Sequence, residues 1–396
     1  MKYLSKISFL VLALFVLSSV NGFSQTDKEI KKQAKTEKKV QKDSVKLEKI
    51  EQGKFIASPL VVPAYTPELG GLIALGMLTS FKTNPDDDLI QRSSLPVTIG
   101  YTTTGAIVFQ SILTSYWFED KLRIYGDFWY KNMPDNYWGV GYDRGFYTPV
   151  SDTTTAFNRQ WFQINPQFLY KIQGSFYAGL NVDINYTEGT DAAELVENDP
   201  YYKEYNDKPF NSGLGIILQY DSRDIPINAW EGLFANVDYT YYGSYLGGYN
   251  EYSILNLDLR HYINTGREGN TFAMQALARF GFGDIPYGEM SQLGTPWDLR
   301  GYTWGQYRDN SLAFIMAEYR YTFTKPDGSL SKSGMVGWVG GGTIFGVEDY
   351  EDTNIKILPN YGIGYRFELQ PRMNLRIDVG LGRETMGVYF NFNEAF

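Results

Sequence analysis

The chain has 396 residues with no cysteine, one histidine, 32 tyrosines, 25 phenylalanines and 40 glycines. Without Cys there can be no disulfide scaffold, thiolate zinc site or cysteine nucleophile, and a lone His261 excludes a two-histidine metal site. The net charge of -9 is uneven: residues 1–24 carry +2 and residues 25–54 carry +4, leaving -15 on residues 55–396, an acidic body unsuited to nucleic acid.

At the start of the chain, Lys2 and Lys6 precede the apolar run Phe9 to Val20, which Asn21, Gly22, Phe23, Ser24 and Gln25 follow. That is the layout of a cleavable secretory signal over residues 1–24. The run is short for a permanent span, and no Cys stands at the cleavage site to take a lipid, so the mature chain is expected to begin near Gln25. Nowhere else do about 18 apolar residues follow one another, so a membrane-embedded body would have to be a barrel. Residues 25–54 set ten Lys against six acids, with sparse apolar points at Ile30, Val40, Val45, Leu47 and Ile50. They read as a lysine-rich periplasmic tether, helical or disordered, too short for a folded domain.

From residue 55 the apolar period is two. Leu375, Ile377, Val379 and Leu381 alternate with Asn374, Arg376, Asp378 and Gly380. Ala178, Leu180, Val182 and Ile184 alternate in the same way with Gly179, Asn181 and Asp183, as do Val237, Tyr239 and Tyr241 with Asn236, Asp238 and Thr240. One face meets an apolar medium and the other a polar one. Many runs reach the roughly nine residues that cross a bilayer at a tilt, longer than the usual strand of a soluble sandwich.

The expected strands are 56–65, 70–82, 94–102, 104–118, 121–131, 158–172, 175–188 and 211–222, then 232–242, 251–264, 270–283, 309–324, 334–346, 354–370, 373–382 and 386–396. The fold expected is therefore all-β: a 16-stranded antiparallel transmembrane β-barrel over residues 55–396, preceded by a short N-terminal helical tether. An even count puts both barrel ends on the periplasmic side and the long connections 132–157, 189–210 and 284–308 on the outer side. Aromatics at strand ends, among them Tyr116, Trp117, Phe118, Trp129, Tyr130, Tyr241 and Tyr242, suit headgroup girdles. The last strand carries Val388, Phe390, Phe392 and Phe396 on one parity, a terminal aromatic pattern like the insertion signal of outer-membrane barrels.

Three stretches carry a family resemblance. Gly294 to Tyr302, containing Asp298, Leu299, Arg300, Gly301 and Tyr302, is similar to the Val-Arg-Gly-Phe/Tyr motif of the BamA/TamA outer-membrane assembly superfamily (bacterial surface antigen family). It falls between the eleventh and twelfth expected strands, as in the family. Met133 to Gly141 resembles the family's Phe-Pro-x-x-Phe-Tyr-Gly-Ile-Gly stretch. Tyr220, Asp221, Ser222, Arg223 and Asp224, followed by Pro226 and Gly232, resemble its Tyr-Asp-x-Arg-Asp turn. The resemblance implies a loop folded into the lumen, its Arg300 facing Glu318. The family's second acid aligns with Gly340, so the latch is expected to rest on Glu318 alone. With 30 residues ahead of the barrel, this looks like a barrel-only member lacking POTRA domains.

Other candidate sites are weaker. His261 lacks the spacing of a hydrolase, Asp86 to Asp88 form a solvated acidic turn, and Gly340 to Gly342 lack a following Lys-Ser/Thr. No enzyme activity, cofactor or metal is expected. Two functions of different class remain. One is assembly or translocation through a lateral seam between a first strand broken by Pro59 and Pro63 and the last strand, with outer-membrane lipid, unfolded outer-membrane proteins or periplasmic assembly factors as partners. The other is a pore or solute channel gated by the loop around Arg300. A barrel that only organises lipid is the third reading.

Overall fold

A computed structural model describes residues 44–46, 48–66, 70–87, 90–103, 105–347 and 356–396. The secretory signal, most of the tether and Asp88 lie outside the described residues. The chain divides into two compact units, Met1–Ile56 and Ala57–Phe396. In the first, residues 44–46 and 48–51 are helical.

The second unit is built on sixteen strands, each hydrogen-bonded to the next in chain order. They are β1 Ile56–Thr66, β2 Gly70–Phe81, β3 Ser93–Thr102, β4 Ile107–Trp117, β5 Leu122–Asn136, β6 Ala156–Gln173, β7 Phe176–Thr190 and β8 Phe210–Asp221. There follow β9 Gly232–Tyr242, β10 Tyr252–Asn264, β11 Asn270–Gly283, β12 Ser311–Thr324, β13 Leu330–Phe345, β14 Leu358–Gln370, β15 Met373–Leu381 and β16 Met386–Phe392. The outer face is apolar and exposed, as at Ile73 and Leu75 of β2 and Leu214, Ile216 and Leu218 of β8. The opposite parity is buried and largely polar, with Asn181, Asp183, Asn185, Thr240, Gln275 and Glu318 turned inward. Alternation of this sense is that of a wall with hydrocarbon outside and a polar interior: a transmembrane β-barrel. No helix among the described residues is long and apolar enough to cross a membrane.

The sheet curls until its last strands return to its first. Gln370, ending β14, donates from Nε2 to Ser58 Oγ of β1 at 3.1 Å and to the Leu78 carbonyl of β2 at 3.1 Å, and Ser80 Oγ donates to its Oε1 at 2.5 Å. Phe392 pairs with Leu375 and so shares the outward face of β15 and β16. Its ring nevertheless lies on the inner side of β2, where a Cβ on Gly76 would come within 2.8 Å of it. The last strand is thus tucked behind the first two.

Four expectations are corrected. The first strand is not broken: β1 runs continuously through Pro59 and Pro63. It stands at one end of the strand order, where a missing N–H interrupts least. The last strand ends at Phe392 rather than Phe396, because Asn393 takes a left-handed φ of 62° and sends Glu394, Ala395 and Phe396 into the lumen. There Glu394 accepts from Arg366 Nε and Asn374 Nδ2, both at 2.7 Å, partners that a carboxylate in hydrocarbon would lack. Tyr116, Trp129 and Tyr242 face inward rather than to a headgroup girdle, since period two gives alternate aromatics to opposite faces; Phe118 and Tyr241 are the exposed ones. Met133 and Pro134 belong to β5, which runs on to Asn136.

Candidate functional site: a loop across the lumen

The connection between β11 and β12 enters the barrel. Its stem is a two-residue ladder, Ser291 opposite Asp309 and Gln292 opposite Arg308. Its turn is organised by Asp298, whose Oδ1 accepts from the backbone N–H of Gly294 and Thr295, each at 2.9 Å, and from that of Leu299, while Oδ2 accepts from Thr295 Oγ1 at 2.6 Å. Burial pushes the Asp298 carboxyl up to about 6, against the pull of these donors.

The turn delivers Arg300 to the wall formed by β12, β13 and β15. Arg300 is fully buried and donates through NH1 to Asp378 Oδ2 of β15 at 2.6 Å and through NH2 to Glu318 Oε1 of β12. Its guanidinium lies 3.7 Å from the ring centroid of Trp338 on β13. The contact needs glycine on both sides. Gly301 has φ +120°, and a Cβ there would meet Gly380 C at 2.7 Å; a Cβ on Gly380 would meet the Arg300 carbonyl oxygen at 2.2 Å. The neighbouring loop residues reach the last strands too. Gly301 N donates to Tyr389 OH of β16 at 2.9 Å, and Tyr302 OH donates to the Pro359 carbonyl of β14 at 2.7 Å.

Charges extend around this anchor. Arg320 Nε donates to Glu318 Oε2 at 3.0 Å, Arg366 NH1 to Asp378 Oδ1 at 2.6 Å, and Arg376 NH1 lies 3.5 Å from Asp378 Oδ2. Four guanidiniums and the carboxylates of Glu318, Asp378 and Glu394 are each within 6% of full burial. Losing one partner from such a network strands the others in low dielectric. The second acid is therefore Asp378 of β15, not a residue near Gly340, and Glu318 does not hold Arg300 alone. On β13, two residues before Gly340, Trp338 contributes a ring face and no charge.

From Arg300 the loop crosses to the opposite wall. Trp297 and Trp304 pack edge-on to Trp129 of β5, with centroids 5.8 and 6.0 Å away, and Trp304 meets Trp161 of β6 at 5.8 Å. Lys131 Nζ lies in this cluster, 3.6 Å from Trp304, 4.9 Å from Trp161 and 5.1 Å from Trp129. Above the loop, the stretch Met133–Gly141 leaves β5 and joins a cap. Tyr137 OH donates to Asp199 Oδ1 at 2.8 Å, and the Arg308 guanidinium lies 4.6 Å from the Tyr137 ring. Three short helices complete that cap, α1 Tyr142–Tyr147, α2 Glu194–Glu197 and α3 Pro200–Tyr205.

At the other mouth, the turn after β8 spans the floor. Asp221 accepts from Arg123 NH1 at 2.6 Å and from Arg223 Nε and NH2 at 2.8 and 3.0 Å. Asp224 Oδ1 accepts from Trp230 N at 3.0 Å within the turn, and its Oδ2 from Arg372 NH2 at 2.7 Å. Arg372 lies in the turn between β14 and β15, six strands on, and its guanidinium stacks 3.6 Å from the Trp230 ring. Gln91, ahead of β3, donates to the Asp224 carbonyl at 3.2 Å. Three turns from around the barrel thus meet at Asp224.

Residues 92–396 match the model of the Omp85 superfamily domain. The chain belongs to the Omp85 superfamily. This bacterial outer-membrane barrel is similar to solved structures of BamA from Haemophilus ducreyi lacking POTRA domains 1–3, at 12% identity and TM-score 0.53 over 85% of this chain and 69% of that one. It is also similar to CdiB from Acinetobacter baumannii, at 12% identity and TM-score 0.52 over 86% of this chain and 65% of that one. CdiB from Escherichia coli gives 11% identity and TM-score 0.57 over 86% of this chain and 62% of that one. Likeness at this identity is likeness of fold. No curated protein matches the chain in sequence.

The sequence reading named Arg300, Gly301, Tyr302 and Glu318 together, and the structure places them in one cluster. It named Asp221, Arg223 and Asp224 as a turn and did not foresee that Asp224 reaches Arg372. Asp378, Trp338, Arg366 and the Lys131 cluster were missed. A signal for the first existed, because Arg376 and Asp378 sit on the polar parity of a wall strand.

Proposed function

We propose that this barrel assembles or translocates outer-membrane proteins or lipids through a lateral seam between β1 and β16. In this reading residues 1–24 are an export signal, residues 25–54 a periplasmic tether, and the chain catalyses no covalent chemistry. One observation carries it: the loop tip is bonded to the strands that border the seam, Arg300 to Asp378 of β15 and Gly301 to Tyr389 of β16. Loop position and seam position are thereby coupled, so releasing Arg300 frees the last strands to part from β1 and to expose an edge for strand pairing. Arg300, Gly301, Tyr302 and Glu318 act as a latch, with Phe390 and Phe392 on the moving edge. A standing pore is disfavoured by the loop across the lumen and by the turn around Asp224 at the floor.

The test uses the absence of cysteine. Single cysteines at Leu60 and Phe390 should crosslink in cells to unfolded barrel proteins or to a translocated partner. A double-cysteine chain oxidised across the seam should lower the level of client proteins in the outer membrane. Unchanged growth and an unchanged outer-membrane proteome after locking would refute the seam reading.

A further inference from the structure

Asp221, Asp258, Asp378 and Glu394 each lie against a guanidinium, of Arg123, Arg260, Arg300 and Arg366 respectively. The wall from β5 to β10 departs from this pairing. A cavity of about 220 Å³ there is lined by Asp127 of β5, Asp183 of β7, Asp238 of β9 and Glu289, which follows β11, with Arg279 of β11 as the one cation in its lining. Four carboxylates against one guanidinium leave three negative charges in excess. Arg279 is moreover turned to the base of the crossing loop, donating from NH1 to Ser291 Oγ at 2.8 Å and from NH2 to the Glu289 carbonyl at 2.9 Å, so none of the four is ion-paired among the described residues.

Amide donors hold these carboxylates in place without neutralising them. Asp183 Oδ2 accepts from Gln163 Nε2 at 3.1 Å and Asn165 Nδ2 at 2.9 Å, and Asp238 Oδ2 accepts from Asn256 Nδ2 at 3.0 Å. Asn181, 3% exposed, also lines the cavity. Its Nδ2 donates to Thr240 Oγ1 at 2.8 Å, which donates on to Asp238 Oδ1 at 3.3 Å, so the amide orientation is fixed and its Oδ1 is left without a partner. Glu289 Oε1 has none either. Acceptors without donors, and carboxylates without counter-ions in a confined space, call for a cation.

Among the described residues no three acidic side chains come close enough together to hold an ion directly. The cavity is nevertheless large enough for an ion that keeps its six waters, each claiming about 30 Å³. We propose that it binds one hydrated divalent cation of the magnesium class, whose water shell donates to Asp127, Asp183, Asp238, Glu289 and Asn181 Oδ1. Magnesium sheds water reluctantly and favours oxygen acceptors, which is the chemistry this lining presents. Because Glu289 precedes the ladder that starts at Ser291, the ion ties the base of the crossing loop to β5, β7 and β9. Binding of this kind stands whether or not the seam passes a client protein.

The experiment uses the full chain folded in a non-ionic detergent, stripped of metal with EDTA and dialysed to equilibrium against magnesium in neutral buffer containing sodium chloride. Bound magnesium, counted by elemental mass spectrometry, should saturate at one ion per barrel. Hexamminecobalt(III), an octahedral cation whose ammines do not exchange, should displace it. Asp127→Asn and Glu289→Gln should each weaken binding about tenfold, as expected for losing one charge-assisted contact, while Asp86→Asn in the exposed acidic turn leaves it unchanged. Heat-modified migration on gels checks that each variant is folded. Magnesium that hexamminecobalt(III) fails to displace would be coordinated directly and would overturn the proposal. So would the absence of bound magnesium, or binding that is lost in Asp86→Asn and kept in Asp127→Asn.

Discussion

The crossing loop is held at two walls by different physics. At β12 to β15, Arg300 is fixed by two carboxylates, a ring face and a glycine-to-glycine backbone contact, all fully buried. At β5 and β6, Trp297 and Trp304 lie among Trp129, Trp161 and Lys131 with centroid and cation distances of 3.6 to 6.0 Å. A buried charge network admits one geometry, because any displacement leaves an ion without a partner. An aromatic cluster tolerates sliding, because ring contacts vary slowly with angle. The ionic wall therefore sets where the loop sits, and the aromatic wall sets how readily it moves.

The largest effect should come from the ionic anchor. Arg300→Ala strands Glu318 and Asp378 and should lower barrel stability by about 3–5 kcal/mol, read as a fall in the urea midpoint or in the temperature at which the folded band is lost on gels. Arg300→Lys should recover less than half, since an ammonium cannot fork between two carboxylates. A wild-type midpoint for Arg300→Ala would remove the asymmetry between the walls. Trp304→Ala should cost about 1–2 kcal/mol, from the cation–π contact and two ring pairs, and should red-shift tryptophan emission. If it costs as much as Arg300→Ala, the aromatic wall is as exacting as the ionic one.

The floor supplies a third contrast. Arg372→Ala removes the part-buried bond from the β14–β15 turn to Asp224 together with the stack on Trp230, so its stability cost should be about 1 kcal/mol. Small-ion conductance in planar bilayers should nevertheless rise, and should rise further when Trp304→Ala is added; no rise with both would mean that neither element blocks the lumen. Smallest of all should be Pro59→Ala, within about 0.5 kcal/mol, because β1 already accommodates the proline.

Sequence alone determined that there are sixteen strands and, for strands such as β7, β9 and β15, which face meets lipid, because in a barrel a strand reports its own environment through period two. The Arg300 loop was legible for a related reason: its motif is contiguous, and Glu318 lies on the polar parity of the next strand. Tertiary structure decided whatever depends on strands far apart in sequence. Asp378 lies 78 residues from Arg300, and Arg372 lies 148 from Asp224. No local pattern relates such pairs, because closure of the sheet brings them together. The inward turn of Phe396 and the overlap of β16 with β2 were hidden for the same cause: alternation tells which residues share a face, but not that the end of a sheet slips behind its beginning.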